Sequence, residues 1–155
     1  MTIEPMFTDG GPLSKVLHEW ESRQQQVDMA SAVAEALESK KQLLVEAGTG
    51  VGKSFGYLVP AIRRIIEHGE TVVISTNTIT LQEQIVNHDA PILHEAFGGG
   101  FETVLVKGRA NYISLRRLSR AKSQRATLLH GGNGAEQLEQ IDEWSKTTVD
   151  GSKSS

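Results

Sequence analysis

A glycine-rich loop between an apolar run and an amphipathic segment constrains this chain more than any other feature. The loop has the form A-x-x-x-x-G-K-S and follows the apolar run Leu43-Leu44-Val45. Alanine stands in place of the usual first glycine. Its glycines let backbone N–H groups face a triphosphate, while Lys53 reaches the β- and γ-phosphates and the Ser54 hydroxyl ligates Mg²⁺. The simpler interpretation is a turn that binds nothing. The predicted ATP-binding residues of this P-loop are Ala47, Gly48, Thr49, Gly50, Val51, Gly52, Lys53 and Ser54, of which Lys53 and Ser54 are the candidate catalytic pair and Ser54 the Mg²⁺ ligand.

Apolar segments alternate with helical patterns along the chain. Short apolar runs at 42–46, 71–75 and 103–107 are typical of buried strands. Apolar residues recur with helical period over 23–38 and 53–68, and a further helix is expected over about 80–87. This order predicts an α/β fold, a P-loop NTPase domain whose parallel sheet is flanked by helices. With three candidate strands, the domain is expected to be incomplete.

Composition narrows the class of protein. The chain has 155 residues, 38% of them hydrophobic and 23% charged, as in a globular protein. Its net charge of −3 provides no overall attraction to nucleic acid, so such binding requires a local patch. The absence of cysteine excludes disulfides and cysteine-ligated metals within this chain. There is no signal-peptide pattern and no apolar run near the about 20 residues of a membrane span, which favours a cytoplasmic protein.

Charge is unevenly distributed after the third apolar run. No acid occurs in 107–125, whereas 126–155 is acidic and polar and is expected to be largely helical. We therefore divide the chain into a loose N-terminus at 1–12, a partial nucleotide-binding domain at 13–115, and a helical segment at 116–155. The seven basic residues of the 107–125 stretch are Lys107, Arg109, Arg116, Arg117, Arg120, Lys122 and Arg125.

Five segments in sequence order resemble one known family. They are TDGGPLSKVL, RQQQVDMASAVAEAL, LLVEAGTGVGKSFGYLVPAI, VVISTNTITLQEQI and VLVKGRANYISLRRL, and they cover nearly all of 8–120. Together they resemble the start of superfamily 2 DNA helicases of the DinG/XPD branch. The resemblance implies an ATP-dependent 5′-to-3′ helicase with two RecA-like motor domains, of which this chain holds part of the first. The expected partners are ATP, single-stranded DNA and the remainder of the helicase polypeptide.

The resemblance also implies roles for residues outside the P-loop. Gln26, with Arg23 nearby, falls at the position of the family's adenine-reading glutamine. A glutamine suits that role because its amide offers a donor and an acceptor to the adenine edge. Gln25 is the alternative if the register differs by one. The expected contacts with single-stranded DNA are Thr76, Asn77 and Thr78 after the second strand, and Lys107, Arg109, Asn111 and Tyr112 after the third. The alternatives are a helix N-cap at Thr78 and a solvated loop with Tyr112 packed inward.

Two departures from the family pattern limit the expected chemistry. Ser114 stands where many members have the first cysteine ligand of an iron–sulfur cluster, and a serine hydroxyl is a poor substitute for thiolate. No iron–sulfur cluster is therefore expected. The DEAH box is missing, because Asp142 follows a polar helical stretch and Asp150 a short polar one, rather than an apolar strand. The chain is expected to bind ATP without hydrolysing it.

Two other function classes remain open on the sequence. One is a small P-loop ATPase or kinase unrelated to DNA, which needs an acid-tipped strand and a substrate lid. The other is a non-catalytic module that binds nucleotide, or nucleic acid through the 107–125 basic stretch.

Overall fold

The regular elements of this computed structural model are helices. It describes residues 3–48, 50–124 and 133–153, which fall into two compact units, residues 1–105 and 106–155. In that part of the chain, no helix combines the length and apolarity that crossing a membrane demands. The helices are α1 (Pro12–Val16), α2 (Gln24–Ser39), α3 (Lys53–His68), α4 (Ile79–Gln84), α5 (Ala90–Phe97), α6 (Leu115–Ser123) and α7 (Gly134–Thr147), with 3₁₀ turns at Glu4–Phe7 and Arg109–Asn111.

Helix α3 has the limits that its sequence pattern predicts. It ends where Gly69 adopts a left-handed conformation at φ 66°, as a C-terminal glycine does. Leu58, Val59 and Ile62 are buried, whereas Ile66, the last apolar residue of the pattern, is 41% exposed. Helices α2 and α3 pack against each other, and an ion pair of 2.7 Å between Arg64 and Glu38 also joins them.

The N-terminal segment contributes to the core of the first unit. Ile3 and Phe7 are 4% and 1% exposed, and both belong to the apolar cluster that includes Leu13 of α1, Val59 of α3 and Leu93 of α5. Burying a phenylalanine side chain stabilises a fold by about 1.5–3 kcal/mol. The first dozen residues therefore hold part of the core, which their composition did not predict.

Helices α4 and α5 are joined by a π-helical turn. The Thr78 hydroxyl caps α4 by accepting a hydrogen bond of 3.2 Å from the Leu81 amide, as the sequence suggested. The π turn, Ile85–Asp89, buries Ile85 and the carboxylate of Asp89. The π turn places the Asp89 carboxylate inside the unit. One of its oxygens lies 2.8 Å from His88 Nδ1, and the other has no hydrogen-bond partner in the described part of the chain.

The second unit is built on α6 and α7. Leu118 of α6 is buried, and Lys122 reaches across to Asp142 of α7 at 2.7 Å. Residues 148–153 then run antiparallel to 111–113, with Tyr112 and Ser152 forming an isolated β-bridge. This final segment, 148–153, is termed the strap below.

The predicted parallel sheet is wrong, and with it the α/β, RecA-like description of the fold. Segments 42–46, 71–75 and 103–107 pair with no strand anywhere in the described ranges. Leu44, Val73 and Val104 are 97%, 87% and 80% exposed. A parallel strand needs partners on its edges and helices on both faces, whereas here the helices pack on one another. The apolar runs predicted strands, but the pattern does not identify the partners on which strand pairing depends.

Candidate nucleotide-binding site

The P-loop has the backbone geometry of an anion cradle. Gly50 and Gly52 have φ of 80° and 75°, a left-handed region that glycine adopts without strain. Helix α3 begins at Lys53, and no side chain in the described part of the chain caps its first turn. Its unpaired N–H groups and the positive end of its dipole therefore face the loop, as in phosphate-binding sites. Thr49, one of the predicted ligands, lies outside the described residues.

The Lys53 ammonium group lies inside the loop. Its Nζ donates hydrogen bonds to the carbonyl oxygens of Ala47 at 3.1 Å and Gly48 at 2.6 Å. Two loop carbonyls therefore contact the charge that, in a P-loop, meets the β- and γ-phosphates. An ammonium bound to a phosphate oxygen makes a stronger contact than one bound to a neutral carbonyl, because both partners are then ionised.

Gln26 and Arg23, the predicted adenine-reading residues, both contact the P-loop. Gln26 is 5% exposed and donates from Nε2 to the Gly52 carbonyl at 2.8 Å. Arg23 donates from Nη1 to the Gly50 carbonyl and forms an ion pair with Glu21 at 2.9 Å. Gln25, the alternative in the sequence, is exposed. The first turn of α2 is therefore tied to the two left-handed glycines of the loop.

Tyr57 belongs to the site and was not singled out from the sequence. Burial raises the pKa of Tyr57. The Ser54 side chain, one helical turn earlier, reduces this effect, and the negative charge of Asp89 reinforces it. The i, i+3 spacing within α3 was the available signal. The buried Asp89 carries no such signal, because the π turn that holds it inside arises from packing.

The donor set of the loop fits a magnesium-bound triphosphate. Ser54 supplies a hydroxyl beside the uncapped start of α3, and Lys53 supplies a fixed positive charge. No group of three or more histidine or acidic residues suitable for a metal occurs in 3–48, 50–124 and 133–153. Mg²⁺ typically takes one or two protein oxygens and completes its shell with phosphates and water. A single hydroxyl ligand is therefore sufficient for a metal that arrives with ATP.

The residues predicted to follow the second strand form a small turn. Thr76 donates from Oγ1 to the Thr78 carbonyl at 3.0 Å, and the Thr78 hydroxyl is used as the α4 cap. Asn77, between them, is exposed. The amide of Asn77 is the group in this turn that remains available to a phosphate.

The predicted contacts after 103–107 have different environments. Lys107 is 7% exposed, and its Nζ lies 3.3 Å from Ser152 Oγ. Tyr112 is half-buried and its hydroxyl accepts a bond of 2.8 Å from the Lys107 amide, while Arg109 is exposed on a 3₁₀ turn with Asn111. Ser114 caps α6 by accepting from the Arg117 amide at 3.4 Å. The turn therefore presents Arg109 and encloses Lys107.

Three acids, Glu46, Asp142 and Asp150, were compared with the position that a DEAH carboxylate requires. Asp142 lies within α7, where hydrogen bonds from Lys122 and then Lys146 lower its pKa. Asp150 accepts a 2.8 Å bond from the Ser152 amide. Glu46 is exposed and lies in a segment without regular secondary structure. None of the three stands at the end of a buried strand in the described part of the chain.

Comparison with known proteins agrees with the resemblance seen in the sequence. The model of the DEAD/DEAH box helicase family matches residues 27–142. The ATP-dependent DNA helicase YoaA of Haemophilus influenzae is 36% identical over 149 residues, covering 96% of this chain and 22% of the relative. YoaA of Escherichia coli is 38% identical, with 94% and 22% covered. The ATP-dependent helicase DinG of Mycobacterium tuberculosis is 45% identical over 100 residues, 62% of this chain and 15% of the relative.

The family model matches well over half of the chain, and the similarity to YoaA extends over almost all of it. The chain spans about a fifth of the length of those YoaA relatives. The recognition of a DinG-like helicase sequence is therefore confirmed. This chain belongs to the DEAD/DEAH box helicase family.

Proposed function

We propose that this chain is the ATP-binding portion of an ATP-dependent DNA helicase of the DinG type. In this proposal the P-loop holds the triphosphate, Ser54 ligates Mg²⁺ and Gln26 reads adenine with Arg23 beside it. The observation that carries the proposal is the position of the Lys53 ammonium, bonded within the loop to Ala47 and Gly48 at the uncapped start of α3. Lys53 is exposed, its ammonium contacts two neutral carbonyls, and no acidic side chain in the described part of the chain pairs with it, so its charge is available to an anion.

Single-stranded DNA is the second ligand in this proposal. Asn77 and its neighbours Thr76 and Thr78 offer amide and hydroxyl groups to phosphate oxygens, and Arg109 with Asn111 offers a second polar turn. In the whole helicase, ATP hydrolysis would be coupled to strand separation by closure of two motor domains. The curated relatives are named DNA helicases, which supports DNA as the polymer bound.

A nucleotide titration tests the first part of the proposal. Lys53→Ala removes the charge that meets the β- and γ-phosphates, and a hydrogen bond to a charged group contributes about 1.5–3 kcal/mol, so affinity for a fluorescent ATP analogue should fall at least tenfold. Lys15→Ala is the matched control, because Lys15 is an exposed lysine of α1. Equal affinity of wild type and Lys53→Ala would refute the nucleotide site.

Phosphate release tests whether the chain hydrolyses what it binds. Phosphoryl transfer needs an oriented water, a metal held by the protein and positive charge on the γ-phosphate, and an arginine finger alone contributes about 10³–10⁵-fold in rate. The acids at 46, 142 and 150 do not stand where a Walker B carboxylate is needed. We expect binding without DNA-stimulated release. DNA-stimulated turnover that disappears in Lys53→Ala would contradict this expectation.

A further inference from the structure

The strap contacts the turn that carries the buried Lys107. The Ile113 amide donates to the Gly151 carbonyl and the Lys153 amide to the Asn111 carbonyl, each at 2.9 Å. Ser152, between these bonds, is 1% exposed and receives the Lys107 ammonium at 3.3 Å. Lys107 therefore secures the strap to the turn, and its charge is not displayed on the surface.

Helix α6 has one side turned to the unit and one side turned to solvent. Leu118 is buried and Ala121 is half-buried, while Lys122 is paired with Asp142 of α7 at 2.7 Å. Arg116, Arg117 and Arg120 are all exposed. These three residues, at positions i, i+1 and i+4, are termed the α6 arginine surface.

The α6 arginine surface has no internal counter-charge. None of its three residues forms an ion pair with any residue of 3–48, 50–124 or 133–153. Like charges three and four residues apart destabilise a helix. Two of the acids of α7 are used elsewhere, since Asp142 pairs with Lys122 and Lys146, and Glu143 with Lys146. Three guanidinium groups therefore remain together, each able to bind a phosphate in a bidentate manner.

We propose that the α6 arginine surface binds the phosphate backbone of single-stranded DNA. The inference rests on the proposed function for the identity of the polymer, and it assigns residues that lie outside the turn at 107–112. Guanidinium groups held on one rigid helix present fixed forks to successive phosphates and read no base. Binding through this surface is therefore independent of sequence and sensitive to salt.

The test is the salt dependence of oligothymidylate binding by the full chain. A fluorescently labelled single strand is titrated by anisotropy at several salt concentrations. Arg116→Gln combined with Arg120→Gln should weaken binding by roughly tenfold for each arginine. It should also lower the slope of log K against log salt by about 1.4, because each phosphate contact on a single strand contributes about 0.7. Arg116→Lys with Arg120→Lys should restore the slope.

Lys122→Gln is the matched control. It removes a positive charge from the same helix, but Asp142 already neutralises that charge in wild type. Its slope should equal that of wild type. The proposal would be overturned if Lys122→Gln lowered the slope as much as the double arginine variant does, or if the double arginine variant left the slope unchanged. The proposal would also be overturned if the double arginine variant bound a polyglutamate peptide more weakly but bound the oligonucleotide as well as wild type does. That result would identify an acidic protein partner. The affinity of these variants for the ATP analogue, measured in parallel, should stay unchanged. Failure of the arginine proposal can then be distinguished from failure of the proposed nucleotide site.

Discussion

Replacing Gly52 by alanine should destabilise the chain through Gln26. Gly52 has a φ of 75°, and a Cβ placed there overlaps the end of the Gln26 side chain. Holding a residue with a Cβ in the left-handed region costs about 1–2 kcal/mol. The Gln26 amide must also swing away from the Gly52 carbonyl, and a lost hydrogen bond of this kind costs about 0.5–1.5 kcal/mol. Gly52→Ala should therefore lower the free energy of unfolding by about 2–3 kcal/mol.

The contribution of Gln26 can be separated by a double-mutant cycle. Gln26→Ala removes the group that the new methyl overlaps, so Gly52→Ala should cost less in that background, with a coupling of about 1 kcal/mol. Urea unfolding followed by far-ultraviolet circular dichroism measures all four proteins. The Gln25→Ala variant is the control, because Gln25 is exposed one residue away and should leave the cost of Gly52→Ala unchanged.

Two results would refute this reasoning. A loss below about 0.5 kcal/mol in Gly52→Ala would mean that the loop relaxes without cost and that its left-handed geometry is not imposed by the fold. Strict additivity with Gln26→Ala would mean that the amide does not hold the loop. In the second case Gln26 and the P-loop would be energetically independent.

Three further predictions concern burial and titration. Burial raises the pKa of Tyr57 above 10.0, so the fold favours its neutral form. Wild type should therefore lose stability in urea unfolding as pH rises past about 10, and Tyr57→Phe should not show this loss. Phe7→Ala should lower the free energy of unfolding by about 3–5 kcal/mol, and a change below about 1 kcal/mol would exclude Phe7 from the core. Hydrogen bonds lower the pKa of Asp142 below 3.8, so its stabilising effect is complete above that pH and lost as pH falls. Lys122→Met should raise that pKa in a carboxyl-resolved NMR titration.

Local chemistry was readable from the sequence wherever neighbouring residues decide the outcome. The limits of α3, its glycine stop and the Thr78 cap follow from spacing and side-chain type. The P-loop was recognised because consecutive residues form it. Gln26 contacts the loop, and its role in reading adenine stays a prediction. Family membership followed from five such local segments together.

Tertiary structure decided everything that depends on a distant partner. The three apolar runs were predicted to be strands, and that prediction is wrong. Strand pairing needs a second segment, and here the helices pack on each other and leave Leu44 and Val73 exposed. Lys107 was grouped with the solvated cations until the strap, some 45 residues later, enclosed it. Charge and hydropathy are properties of a residue, whereas burial is a property of what folds against it. The sequence by itself therefore determined the loop and the family, whereas packing decided that the described part of the chain forms no sheet and which of its cations face solvent.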